Sequence, residues 1–69
     1  MADTFSFVLE GENVNGDFLQ FEYTFENAES FSDACNLAED TAVKILESEN
    51  GGHLDIYNDE GMFITDVEV

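Results

Sequence analysis

One thiol, Cys35, one imidazole, His53, and one ammonium, Lys44, are the only side chains of their kinds in this 69-residue sequence, and Arg is absent. A hydrolase or transferase needs a nucleophile with a base, or a positioned acid–base pair. Cys35 falls on an apolar stripe with helical spacing, where a buried thiol is inert. His53 opens a strand, and nothing in the spacing pairs it with Cys35. Lys44 follows Asp40 by one helical turn, a surface pair worth about a few tenths of a kcal/mol. Asp55, Asn58, Asp59 and Glu60 bring oxygen atoms to a turn, but without the ligand spacing of an EF-hand. Cys and His lack zinc spacing, and Gly51-Gly52 is not followed by the Lys-Ser/Thr of a phosphate loop. The expectation is a protein that is not an enzyme, with no catalytic residue, no cofactor and no dedicated metal site.

Carboxylates dominate what remains. Asp and Glu number 17 against the single Lys44, for a net charge of −16. A field of one sign repels nucleic acid and anionic membrane, and it attracts basic protein surfaces or cations. Direct nucleic-acid binding needs a basic footprint, which this chain lacks. Acidic chains poor in aromatics are disordered as a rule, yet this one has seven Phe, two Tyr and 43% hydrophobic residues. The expectation is one folded domain over residues 1–69. A lone cysteine permits no internal disulfide and points to a reducing compartment. The opening MADTFSF lacks the features of a signal peptide, and no stretch reaches the ~20 apolar residues of a membrane span. A cytoplasmic protein is expected, or one made in a host cytoplasm.

The elements that must position these carboxylates follow from periodicity. Phe5, Phe7 and Leu9 alternate with Thr4, Ser6 and Val8, and Leu19, Phe21, Tyr23 and Phe25 alternate with Gln20, Glu22 and Thr24. Both read as half-buried strands. A two-residue Asn15-Gly16 loop would set Glu10 against Phe21. A three-residue loop, Val14 to Gly16, sets Leu9 against Phe21, Phe7 against Tyr23 and Phe5 against Phe25, with Gly16 in the left-handed region. Phe31, Cys35, Ala38, Ala42, Ile45 and Leu46 then recur at helical spacing, with Ala34 and Leu37 beside them. Ser30 and Asp33 resemble a capping box, and Asn50-Gly51-Gly52 supplies the stop. Leu54 and Ile56 alternate with Asp55 and Tyr57. Phe63, Thr65 and Val67 alternate with Met62, Ile64, Asp66 and Glu68. A type I turn over Asn58–Gly61 would pair Ile56 with Phe63 and Leu54 with Thr65. The fold class is therefore α+β: a two-layer β-β-α-β-β arrangement, one helix packed on a four-stranded, mainly antiparallel sheet. Strand order stays open.

With the helix on the aromatic face, the other face of the sheet is bare. It is expected to carry Glu10, Glu22, Asp55, Asp66 and Glu68 around an apolar group of Val8, Tyr57, Met62 and Ile64. An apolar centre with a polar rim is how many interfaces are built, and scattered surface hydrophobes are equally ordinary. The patch would serve a basic partner or a homodimer. The outer helix side adds Glu29, Asp33 and Asp40 as further partner-binding candidates. For a sphere of the size this length implies, roughly 28 Å across, the net charge is comparable with the about 16 charges on an equal length of duplex DNA.

In size, charge and β-β-α-β-β order the chain resembles small, acidic, virus-encoded inhibitors that mimic nucleic acid, including anti-CRISPR and anti-restriction proteins. The resemblance implies a partner that is a basic nucleic-acid-binding protein or complex, blocked in the channel that takes DNA or guide RNA. Two other readings share the composition. One is a small domain of a salt-adapted cytoplasm, where salt screens self-repulsion. The other is an acidic adaptor or antitoxin-like module that binds a basic protein.

Overall fold

Alternating aromatic and polar residues build the first two strands, and their pairing follows the hydrophobic match. The computed structural model describes residues 3–69. Strand β1 (Asp3–Asn13) pairs antiparallel with β2 (Phe18–Ala28), setting Phe5 against Phe25, Phe7 against Tyr23 and Leu9 against Phe21. This is the register of the three-residue loop. Gly16 has φ 82° and its N–H donates to the Asn13 carbonyl at 3.0 Å. Asn13 N–H in turn donates to the Asp17 carbonyl at 3.1 Å, closing the hairpin. Both strands run beyond their alternating cores, so that Glu12 joins β1.

Helix α1 (Phe31–Ser48) starts where Ser30, in extended conformation, accepts the Asp33 N–H on its Oγ at 3.1 Å. It ends in a Schellman turn: Gly51 N–H reaches the Leu46 carbonyl at 2.7 Å and Asn50 N–H the Glu47 carbonyl at 3.3 Å. Asn50 takes the left-handed position, φ 65°, a role Asn fills after Gly. The helix buries Ala34, Ala38, Ala42 and Leu46, one turn apart, and the three alanines let its axis lie close to the sheet. Phe31 and Leu37, expected on or beside the buried stripe, remain 44% and 43% exposed. Phe31 still meets Phe5 edge-to-face at 5.7 Å between ring centroids.

Strands β3 (Gly52–Asn58) and β4 (Phe63–Glu68) complete one antiparallel sheet in the order β2-β1-β3-β4. The first strand of each hairpin is thus central. Strands β2 and β3 run in the same direction on either side of β1, and α1 makes the crossover between them. The helix side of the sheet contributes Phe7, Leu9, Leu54 and Ile56 to the core, each 1% exposed or less. Burying side chains of this size stabilises by about 1.5–3 kcal/mol apiece.

The second hairpin keeps the expected turn, Gly61 N–H donating to the Asn58 carbonyl at 3.0 Å, but departs in register. Leu54 pairs with Val67 and Ile56 with Thr65, two places from the predicted match, and the register shifts again before Tyr57–Phe63. Asn58 explains the shift. Its Oδ1 accepts the N–H of Glu60 and of Met62, both at 2.9 Å, while its N–H donates to the Met62 carbonyl. Ile64 is the extra residue of the resulting bulge, and such a residue re-aims its neighbours. The consequence is an exchange: Ile64 packs against the core cluster, and Phe63 turns to Tyr57 with ring centroids 5.9 Å apart. The molecule is a slab of 41 × 21 × 15 Å rather than a sphere.

Candidate functional site

The register fixes which side chains share the face away from α1. Three rungs cross the sheet from β2 to β4: Glu22–Val8–Tyr57–Phe63, then Gln20–Glu10–Asp55–Asp66, then Phe18–Glu12–His53–Glu68. Carboxylates on neighbouring strands lie ~4.8 Å apart by backbone spacing, and those two residues apart along a strand ~6.7 Å. Neither Lys nor Arg stands among them, since the only such residue, Lys44, is on α1.

The middle rung is the most charged. Glu10 is opposite Asp55, and Asp55 is opposite Asp66. Like charges placed directly opposite destabilise a sheet. Two neighbours moderate the repulsion. Gln20 Nε2 donates to Glu10 Oε2 at 2.8 Å. His53 Nε2 lies 3.1 Å from Asp55 Oδ1 and 3.2 Å from Asp66 Oδ2, an ion pair with each when the imidazole is protonated. Among the described residues these are the ion-pair contacts, so the expected Asp40–Lys44 pair is not formed.

The upper rung is apolar at its centre. Val8 pairs with Tyr57, and Tyr57 with the 57%-exposed Phe63. The expected apolar group is therefore present with one member changed, Phe63 in place of Ile64. Met62, just before β4, is 60% exposed. A shallow cleft beside the apolar group is lined by Val8, Glu10, Tyr57, Asn58, Asp59 and Gly61.

A second cleft surrounds the lower rung, lined by Glu12, Asn13, His53, Asp55 and Glu68. It depends on Gly11. A Cβ there would collide with the His53 carbonyl oxygen, so β1 and β3 approach this closely only at glycine.

The ten candidates thus divide. Glu10, Glu22, Asp55, Tyr57, Asp66 and Glu68 share the open face. Ile64 leaves it for the core, for the reason given by the bulge. Glu29, Asp33 and Asp40 are exposed, at the bend before α1 and along it, in the other layer of the molecule. The chain therefore has two acidic surfaces, and a flat partner can engage one at a time. Sequence reasoning missed Glu12, His53, Phe18 and Phe63. The continuing alternation of Glu10 and Glu12 past Leu9 was the available signal for Glu12, and the alternation His53–Asp55–Tyr57 was the signal for His53.

Cys35 packs against the core from the helix, whereas His53 is on the open face, so the sheet separates them. Burial pushes the Cys35 thiol above its usual value of 9.0, and the Glu39 carboxylate adds to the effect. A thiol held protonated in this way is a poor nucleophile. No described helix is long and apolar enough to cross a membrane. No known protein family, curated protein or solved structure matches the chain.

Proposed function

We propose that this protein is an acidic binding protein that occupies the basic groove of a nucleic-acid-binding protein or enzyme in place of DNA or RNA. One observation carries the reading: Glu10, Glu12, Glu22, Asp55, Asp66 and Glu68 line one face of a sheet that has neither Lys nor Arg. The strands root these carboxylates ~5–7 Å apart. A basic groove that reads phosphates as a ladder of charges meets a similar ladder here. The slab is 41 Å long; duplex DNA of that length carries about 24 charges. A net −16 on one small body is thus of the same order, and its release of bound cations on contact supplies the same driving force. The apolar rung of Val8, Tyr57 and Phe63 gives the contact an anchor that phosphate lacks, since aromatic residues supply much of interface energy.

The test uses the immobilised chain and a host lysate at about 50 mM salt, where phosphate-type contacts are strong. A retained nucleic-acid-binding protein that duplex DNA or RNA elutes, and that Asp66→Asn with Glu68→Gln retains at least tenfold less, is the expected result. Retention insensitive to nucleic acid and to those substitutions defeats the proposal. A second reading is favoured by the acidity of the helix layer, where Glu29, Asp33 and Asp40 are also exposed. Acid on every side is what adaptation to a salt-rich cytoplasm produces, and folding only in molar salt would favour it.

A further inference from the structure

The chain's only histidine stands between two aspartates on this face, and we propose that His53, Asp55 and Asp66 form a binding site for a first-row divalent metal ion of the Zn2+ type. Nothing about this site depends on the identity of a protein partner. His53 and Asp55 are two residues apart on β3 and so point to one side of the sheet. Asp66 is the direct partner of Asp55 on β4. All three donors therefore stand on paired strands rather than on a loop, and their ligand atoms lie within 4.8 Å of one another.

The two spacings from His53 suit a shared ion, and the two carboxylates, within 4.8 Å of each other, would close on it. Zn–N and Zn–O bonds of about 2.0–2.2 Å at tetrahedral angles put neighbouring donor atoms about 3.4 Å apart. The two edges from His53 Nε2 are 3.1 and 3.2 Å. Hydrogen bonding satisfies this triangle poorly. Nε2 carries one proton or one lone pair, yet it faces two carboxylate oxygens at nearly equal distance. A proton on Nε2 serves one oxygen or is shared between both, whereas a cation satisfies all three atoms.

Electrostatics favours the same occupant. Asp55 has Glu10 on one side and Asp66 on the other, in a chain whose only Lys is in the other layer. The neighbouring rung sets Glu12 and Glu68 on either side of His53. An imidazole with two carboxylates selects transition metals over Ca2+ and Mg2+, which prefer oxygen alone. The side chains of His53, Asp55 and Asp66 are 41%, 32% and 59% exposed. Three protein ligands in an open setting leave a coordination position for water or for a donor from another molecule.

The test is titration of the full chain, stripped of metal with chelator, in about 150 mM salt to suppress diffuse counter-ion binding. Zn2+ is followed by calorimetry, and Co2+ by its visible absorption. One saturable equivalent is expected, together with a shift of the His53 imidazole resonances on Zn2+ addition. Affinity should fall at least tenfold in His53→Ala and in Asp66→Asn, and should be unchanged in Glu47→Gln, an exposed position on the helix. Equal affinity in His53→Ala, or imidazole resonances of the unaltered chain that do not move at saturating Zn2+, would overturn the site and leave only general attraction of cations to carboxylates.

Discussion

Asn13 holds the first hairpin turn with one atom and the end of the helix with another. Its Oδ1 accepts the N–H groups of Asn15 at 2.9 Å and Asp17 at 3.0 Å. Its Nδ2 donates to Glu49 Oε1 at 3.1 Å. The turn, the last strand residues of β1 and the helix C-terminus are thereby joined beside the Glu12–His53 rung. Asn13→Ala removes these bonds, and a loss of about 1–2 kcal/mol in urea unfolding is expected from the net worth of a few part-exposed hydrogen bonds. Asn13→Asp keeps the acceptor but sets a third carboxylate near Asp17 and Glu49. It should be at least as damaging. Equal stability of both variants and the unaltered chain would mean that the turn is held by Gly16 and the backbone alone.

Among the elements, the second hairpin is where sequence and structure part, and Ile64 measures the difference. On the helix side it packs against the core, while Phe63 is exposed beside Tyr57. Ile64→Asp should therefore cost about 1–2 kcal/mol, since it replaces a half-buried side chain packed against the core with a charge. Phe63→Ser should change stability by less than about 0.5 kcal/mol, as exposed positions do. Chemical denaturation of the two variants decides it, and the reverse order would place Ile64 on the open face. The first hairpin was legible because one loop length alone matched Phe5, Phe7 and Leu9 with Phe25, Tyr23 and Phe21. The Ser30 cap and Asn50 stop were legible from residue types with few other uses. The bulge was not, because the Asn58 side chain substitutes for backbone in the turn and the alternation of β4 is silent about an extra residue. Strand order is set by packing of the two hairpins against α1, to which local periodicity is blind. The open acidic face was legible residue by residue at Glu10, Glu22, Asp55, Asp66 and Glu68. The meeting of His53 with Asp66 was not, since it needs the register of the misread hairpin.

At the scale of the whole molecule, charge and shape together set the response to salt. The −16 net charge is spread over a slab only 15 Å thick. At about 10 mM salt the screening length is ~30 Å, so carboxylates on the sheet and on the helix repel through and around the body. At about 150 mM it is ~8 Å, and repulsion is confined to neighbours within one face. Stability should accordingly rise steeply between these two concentrations and flatten above them, because further screening acts only on close pairs such as Glu10–Asp55. For a chain of this length each kcal/mol gained should raise the melting temperature by about 4–8 °C, a shift that calorimetry or circular dichroism follows readily. A domain that is folded at 10 mM salt and gains along this curve has a core sufficient to hold its carboxylates in place without help. That condition is what a rigid anionic surface requires if it is to compete with nucleic acid for a basic groove. A chain that is unfolded throughout this range and orders only near molar salt lacks it, and its acidity would then be an adaptation to its solvent rather than a binding surface.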